Sequence, residues 1–356
     1  MNYEIEHDAC GIGTVVQIDG KQSYDVLDKA LHIVEKLEHR AGKDASGKVG
    51  DGVGILLQIS DDFFRNTLKK DNIKLPEHYG VGMFFLPRNK LLLNQHKKMF
   101  EKLVEQEGCT FITWRKVPCD DSILGQKAKD CMPSIYQAFV QGDTDLEQKL
   151  YVIRREFEKS CKETYVASLS SRTIVYKGMF LVSQLRKFYF DLQDENYKSA
   201  IAIVHSRFST NTTPSWQRAH PNRYIAHNGE INTIRANVNK MLAREESMHS
   251  KFLDENSSKI LPIINTSGSD SAMLDNALEF LVMNGMPLEK AVMILIPEPW
   301  KHQTMDQKKK DFYHYYATMM EPWDGPASIL FSDGDIMGAV LDRNGLRPSR
   351  YYITND

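Results

Sequence analysis

What the sequence lacks narrows it first. No stretch of its 356 residues approaches the ~20 apolar residues that span a bilayer. The N-terminus, MNYEIEHDAC, carries acids and no apolar segment, so it is not a secretory signal. That predicts the cytoplasm. The five cysteines, Cys10, Cys109, Cys119, Cys131 and Cys161, are odd in number and widely spaced. They form no CxxC pair and no Cys/His cluster of zinc spacing, so neither a disulfide framework nor a metal site is expected. A net charge of -2 offers no basic surplus for nucleic acid or an anionic membrane. The longest basic run, Lys308 to Lys310, reads as a solvated face. Internal repeats and low-complexity tracts are missing too. Hydrophobic residues at 42% and charged residues at 26% are ordinary for a globular chain, and one large mixed domain accommodates the length.

The pattern of apolar residues then supplies elements. A first strand is predicted from Cys10 through CGIGTVVQI to the turn Asp19-Gly20. A helix follows over Tyr24 to Arg40, where Val26, Ala30, Ile33 and Leu37 form one stripe and Leu27, Leu31 and Val34 another. After a Gly-rich stretch, Gly47 to Gly54, charged helix-like segments alternate with short strands such as Val81 to Leu86. Tyr165 to Leu169 and Thr173 to Tyr176 read as a hairpin around Ser170-Ser171. AIAIV, Ala200 to Val204, is a fully apolar strand, and Arg223 to His227 is another, closed by Asn228-Gly229. Helices are predicted from Ile231 to Glu246 and from Asp270 to Asn284, the second with Ser269 as N-cap and Gly285 just past its end. Asp333-Gly334 between two apolar runs signals a hairpin. Two sheets with helices between and outside them fit this order in one continuous domain.

Chemistry-bearing residues gather at a few points. Cys10 stands at the mouth of the first strand, followed by Gly-Ile-Gly that lets another molecule approach the backbone. Alone it reads first as a buried strand cysteine, and only second as a nucleophile. Arg207 lies three residues beyond AIAIV, where ligands collect in mixed folds, and a guanidinium grips a carboxylate through two parallel bonds. It reads alone as a carboxylate clamp or a structural ion pair. Asn228 and Gly229 offer side-chain and backbone N–H groups for an oxyanion, or an ordinary turn. Asp270, in the first turn of its helix, suits a substrate ammonium or simply the helix dipole.

Eight blocks occur in one order: CGIG at Cys10, GDGVGIL from Gly50, SLSSRTIVYKGM from Ser168, HSRFSTNT from His205, HNGEINT from His227, SGSDSAMLDNALE from Ser267, EPWDGPA from Glu321 and LDRNGLRPSRYY from Leu341. Together they resemble the N-terminal glutaminase domain of the glutamate synthase large subunit, a class II glutamine amidotransferase of the N-terminal-nucleophile hydrolase fold. The resemblance spans essentially the whole chain. It implies an α+β, four-layer αββα sandwich with two mainly antiparallel sheets between helices. Residues 1–9 would be a propeptide, removed to leave a domain over 10–356. By position it implies Cys10 as nucleophile, Asn228 and Gly229 as the oxyanion hole, Arg207 and Thr210 on the α-carboxylate of L-glutamine, and Asp270 on its α-ammonium. It implies no cofactor in this chain.

Three places depart from the family pattern. Thr213 stands where an aromatic residue is usual, His220 where Gln is usual, and Ala41 where Gly is usual after His39-Arg40. Family members also continue beyond the DRNGLRPSRYY strand into FMN-binding and iron–sulfur domains. The expectation is therefore a glutaminase subunit that feeds ammonia to a separate flavin/iron–sulfur glutamate synthase subunit. Two other readings are weighed beside it: another class II enzyme, such as the amidophosphoribosyltransferase type, and a non-catalytic remnant that binds glutamine or a partner.

Overall fold

The computed structural model describes residues 10–44, 47–143, 145–207, 213–301 and 304–355. Its strands, in chain order, are β1 (Gly11–Val16), β2 (Val53–Gln58), β3 (Tyr79–Leu86), β4 (Thr110–Lys116), β5 (Ser134–Gln141), β6 (Tyr165–Ser170), β7 (Thr173–Gly178), β8 (Ile201–Ser206), β9 (Ile225–Gly229), β10 (Ala327–Ser332) and β11 (Met337–Leu341). They form three ladders of order β1-β8-β2-β7, β11-β10-β9 and β4-β5-β3-β6. Every pairing is antiparallel.

Strand alternation builds the layers. In the first sheet Val53, Ile55 and Leu57 of β2 and Ala202 and Val204 of β8 point outward. There they meet Val26, Leu27, Ala30, Leu31 and Val34, the buried stripe of the helix Tyr24–Lys36. The intervening residues Leu56, Ile203 and Val175 of β7 point inward and pack on Ala226 of β9 and Leu330 of β10. On the far side of that second sheet, Ile225, Ala327, Ile329 and Phe331 meet Leu274, Ala277 and Leu278 of the helix Asp270–Met283. Helix, sheet, sheet, helix is the αββα order expected from the sequence, in an α+β chain. The third sheet flanks this stack and packs Phe84, Ala138 and Val140 against the helices Lys90–Gln106 and Leu146–Ser160. Among the described residues no helix is long and apolar enough to cross a membrane.

Several boundaries differ from expectation for identifiable reasons. The first helix is α-helical only to Lys36 and ends in a 3-10 turn over Glu38–Arg40. Ser170-Ser171 does not close a hairpin, because β6 pairs with β3 and β7 with β2. That short link hands the chain from one sheet to another, anchored by Glu147, which accepts from the Ser171 amide and hydroxyl at 2.7 and 2.6 Å. The strand expected over Arg223 to His227 instead runs Ile225–Gly229, so Asn228 and Gly229 are ladder residues. The helix after it starts at Ile234 and stops at Arg244, and a separate helix, Lys251–Ile260, follows. The Asp333-Gly334 hairpin is present, with Ser332 opposite Met337 and Gly334 at φ 97°.

Ile203 is fully buried between the two central sheets. An Ile203→Ala chain is expected to lose about 2–5 kcal/mol of unfolding free energy through lost contact and a residual cavity. Urea denaturation measures it, and a loss below 1 kcal/mol would show that the sheets do not depend on this layer.

Candidate active site

The site lies where β1, β8 and β2 end together. Gly11 pairs with Ser206 and Val16 with Ile201, so the same register places Cys10 opposite Arg207. On the other side of β8, Ser206 pairs with Val53 and the Arg207 amide donates to Gly52 O at 2.8 Å. Residues 203, 205 and 207 share the inward face, since paired residues and alternate residues keep one side. Cys10 and Arg207 therefore face the second sheet. Burial pushes the Arg207 guanidinium below its ordinary pKa, and Cys10, Asp51 and Asp270 counter that electrostatically.

The loops beside Cys10 and Arg207 are tightly fitted. Arg40 Nε donates to Cys10 O at 3.3 Å, and the Gly42 amide donates to Arg207 O at 3.0 Å. A Cβ on Gly42 would meet the Asp51 carboxylate at 2.1 Å. Ala41 has φ −87° and ψ 135°, extended backbone that any residue adopts, so glycine is not needed there. The departure at Ala41 is accounted for.

The second sheet supplies β9, which lies at its edge. The Ser332 amide donates to Tyr224 O and the Glu230 amide to Pro326 O. Even-numbered residues of β9 thus bond to β10, and odd-numbered ones turn to the open edge. At that edge the Ile225 amide donates to Asp275 Oδ1 at 3.1 Å. His227 O accepts from His205 Nε2 at 2.9 Å, and the Ile231 amide donates to Asp270 Oδ2 at 2.8 Å. The same alternation directs the Gly229 N–H to this edge, between the His227 and Ile231 bonds. Gly229 has φ 149°, and a Cβ there would lie 1.8 Å from Pro326 O. No other residue fits that backbone.

Asp270 and Ser271 open their helix behind the Ser269 cap. Ser271 Oγ is 2.7 Å from His227 Nδ1 and 3.2 Å from Asp270 Oδ1. One side-chain chain therefore joins the helix start to the strand that carries Asn228 and Gly229. Of the residues singled out in the sequence, Cys10 and Arg207 share one sheet end, Gly229 lies on the neighbouring strand edge, and Asp270 is bonded to the backbone just beyond it. Asn228 adjoins Gly229 on β9 and pairs with Ser328. Thr210 and residues 1–9 lie outside the described residues. His205 and Ser271 were not singled out from the sequence. A signal existed for His205: it is a polar residue directly after the apolar run AIAIV. Ser271 carried no comparable signal.

Three buried histidines surround this junction, and burial is the chief cause that lowers each one's pKa. His205 is pushed down to about 3, His220 lies well below its ordinary value, and His227 is lowered as well. Arg207 and Lys177 add to the effect on His205 and His220. The His205 and His220 rings stack at 4.5 Å. Among the described residues, no group of three or more His, Cys, Asp or Glu is arranged to hold a metal ion, and no disulfide occurs.

Comparison with known proteins decides the family. Residues 10–356 match the model of glutamine amidotransferases class-II. The chain belongs to that family. It is 49% identical to the glutamate synthase [NADPH] large chain of Bacillus subtilis, over 99% of this chain and 24% of that one. It is 44% identical to ferredoxin-dependent glutamate synthase 1 of Arabidopsis thaliana, over 99% of this chain and 23% of that one. Against glutamate synthase [NADH] of Saccharomyces cerevisiae the identity is 43%, over 99% and 17%. The chain thus spans about a quarter or less of the relatives it matches. The family's general reaction is hydrolysis of the glutamine amide, so this amidotransferase chain is an enzymatic domain, as the sequence motifs implied.

Two tests follow from the geometry. Gly229→Ala is expected to destabilise the amidotransferase by more than about 1–3 kcal/mol, the usual cost of forcing a side chain into such backbone, because the Pro326 carbonyl must also move. Gly345→Ala, at φ 62° with open space around it, should cost only about 1–2 kcal/mol. Thermal unfolding compares them, and equal losses would remove the argument for Gly229.

The second test is acid. A histidine whose folded pKa is depressed binds its proton only after unfolding. Stability therefore falls as pH drops below the ordinary value of 6.5 and toward the folded value. Each such histidine contributes a slope of at most about 1.4 kcal/mol per pH unit. His220→Gln should reduce the slope of unfolding free energy between pH 6.5 and 5 by up to that amount. An unchanged slope in urea titrations at those pH values would show that His220 does not stay neutral in the fold.

Proposed function

We propose that this chain is the glutaminase part of a glutamate synthase, with Cys10 as nucleophile once residues 1–9 are removed. The convergence of Cys10, Arg207 and the β9 edge carries this reading. A family match that begins at Cys10 and relatives that are glutamate synthases support it.

On this reading glutamine enters as a zwitterion. Its α-carboxylate lies on Arg207 and Thr210, and its α-ammonium on Asp270. The amine of Cys10, with a pKa near neutrality, takes the thiol proton through a water. The thiolate, favoured by the neighbouring Arg207 charge, attacks the amide carbon. Asn228 Nδ2–H and the Gly229 N–H hold the oxyanion, where a lost donor typically costs about 10²–10³ in rate. The C–N bond breaks and the proton held on the amine leaves with ammonia. Water then attacks the thioester, releasing glutamate and restoring the thiol. With residues 1–9 attached the base is an amide and cannot accept the proton. Maturation is part of the proposal.

The ammonia passes to 2-oxoglutarate at a flavin- and iron–sulfur-containing synthase unit. No step above uses either group, and the described residues show no cluster for a metal. Cytoplasmic placement belongs to the same proposal.

Intact mass and a coupled glutamate assay test it. The expected result is a species beginning at Cys10 that releases ammonia from L-glutamine, with Cys10→Ala reducing the rate by at least 10³-fold, as loss of a covalent nucleophile typically does. A correctly matured chain without glutaminase activity, alone or with a glutamate synthase flavin subunit, would overturn the reading and leave a binding remnant.

A further inference from the structure

We propose that Ser271 is a positioning residue that couples the ammonium-binding end of the site to the oxyanion strand. The inference rests on the glutaminase reading above, and it concerns a residue that supplies no atom to the chemistry.

The donor inventory orders the contacts. A carboxylate only accepts, so the Ser271 hydroxyl donates to Asp270 Oδ1 at 3.2 Å. A hydroxyl has one proton, so His227 Nδ1–H donates to Ser271 Oγ across the 2.7 Å contact. His227 is thereby a neutral imidazole protonated on Nδ1. Its Nε2 is buried with no hydrogen-bond partner among the described residues, where an aprotic nitrogen costs less than an unsatisfied N–H. The backbone of the same residue is held from the opposite sheet, where His205 Nε2–H donates to His227 O at 2.9 Å. A carbonyl only accepts, so His205 is the Nε2–H tautomer. Its Nδ1 likewise has no partner among the described residues.

The next two residues are Asn228 and Gly229. Their position is fixed on one side by β10, through Ser328 opposite Asn228, and on the other by His227 and Ile231. Both of those holds end at one carboxylate, since Asp270 Oδ2 accepts from the Ile231 amide at 2.8 Å and Asp270 Oδ1 accepts from Ser271. Asp270 thus braces the oxyanion strand before and after Gly229. A substrate ammonium on that carboxylate bears on the same bonds, so recognition of the amino group and alignment of the oxyanion donors share one support. Ser271 is 4% exposed and sits in the first turn of its helix. Its side chain is too short to reach beyond these two partners.

The experiment has two arms, run on the full chain. Selective ¹⁵N-histidine labelling reads the tautomer of His227, identified by its loss in His227→Gln. The expected signal is the Nδ1–H form in the wild type and an altered tautomer ratio in Ser271→Ala. Kinetics read the consequence. Ser271→Ala and the near-isosteric Ser271→Cys, a weak hydrogen-bonding partner, should each lower kcat for glutamine at least tenfold with KM within about threefold. Ser271→Thr, which keeps the hydroxyl, should restore kcat to within about threefold. A wild-type His227 protonated on Nε2 overturns the inference. So does a Ser271→Ala chain that keeps its kcat, or losses in all three variants that follow their melting temperatures. If Ser271→Thr does not fold, Ser271→Cys with unchanged melting temperature decides. A wild type that is active beside an inactive Cys10→Ala chain preserves the glutaminase reading in each of these cases. A wild type inactive from the outset removes both.

Discussion

The hydrogen bond from the His205 imidazole to the His227 carbonyl joins the two halves of the site. His205 belongs to β8, whose end carries Arg207 and faces Cys10. His227 belongs to β9, whose end carries Asn228 and Gly229. Besides this contact, the inner faces meet through Leu56, Val175, Ile203, Ala226 and Leu330, and at the far end of β2 Gln58 Nε2 donates to Gly334 O at 2.7 Å. Apolar packing sets a distance between sheets but tolerates small slides along them. A directional bond at the end of the sandwich removes that freedom where it matters. Its cost is burial of a polar ring, and the protein meets that cost by keeping the ring neutral.

Several other open positions at the β9 edge are met by one helix. Asp275 accepts from the Tyr224 and Ile225 amides, Asp270 from the Ile231 amide, and Ser271 holds the His227 ring. An edge strand normally presents unpaired backbone groups that other chains can pair with. Here side chains from the start of the helix Asp270–Met283 occupy them in place of another strand. The arrangement leaves the Gly229 N–H directed to the same edge without committing it to a ladder bond. On the proposed mechanism, an edge strand suits an oxyanion donor: the sheet fixes its geometry without consuming its proton.

Much of this was legible in the sequence. The order of the blocks gave the family and the αββα layers, and the apolar run AIAIV followed by Arg207 marked a strand that ends in the candidate site. The hairpin at Asp333-Gly334 was local turn chemistry and could be read locally. The apparent hairpin at Ser170-Ser171 misled because its turn chemistry is real, whereas the choice of strand partner is made by β3 and β2, far away in sequence. Asn228-Gly229 read as a turn for the converse reason. Its glycine is required by the approach of Pro326 O, a contact about a hundred residues distant. Ser271 was illegible because a buried serine announces nothing until its partners are placed. Thr210 and residues 1–9, both central to the sequence reading, fall outside the described residues.

Charge balance gives the last constraint. The proposed substrate carries a carboxylate and an ammonium, and the site sets Arg207 against Asp270 with Asp51 nearby. Burying an isolated guanidinium is costly, and a low-dielectric surrounding strengthens whatever opposite charge reaches it. Cys10 shares that position, opposite Arg207 across the register. On the proposed mechanism, a cation that draws the substrate carboxylate also favours the thiolate over the thiol, so one residue would serve binding and nucleophile activation together. The histidines cannot take this part, because protonating them beside Arg207 and Lys177 would stack like charges in the same buried space. Their neutrality and the cationic state of Arg207 therefore reinforce each other. Burial is the first reason these rings stay uncharged, and the Arg207 guanidinium beside them adds to it.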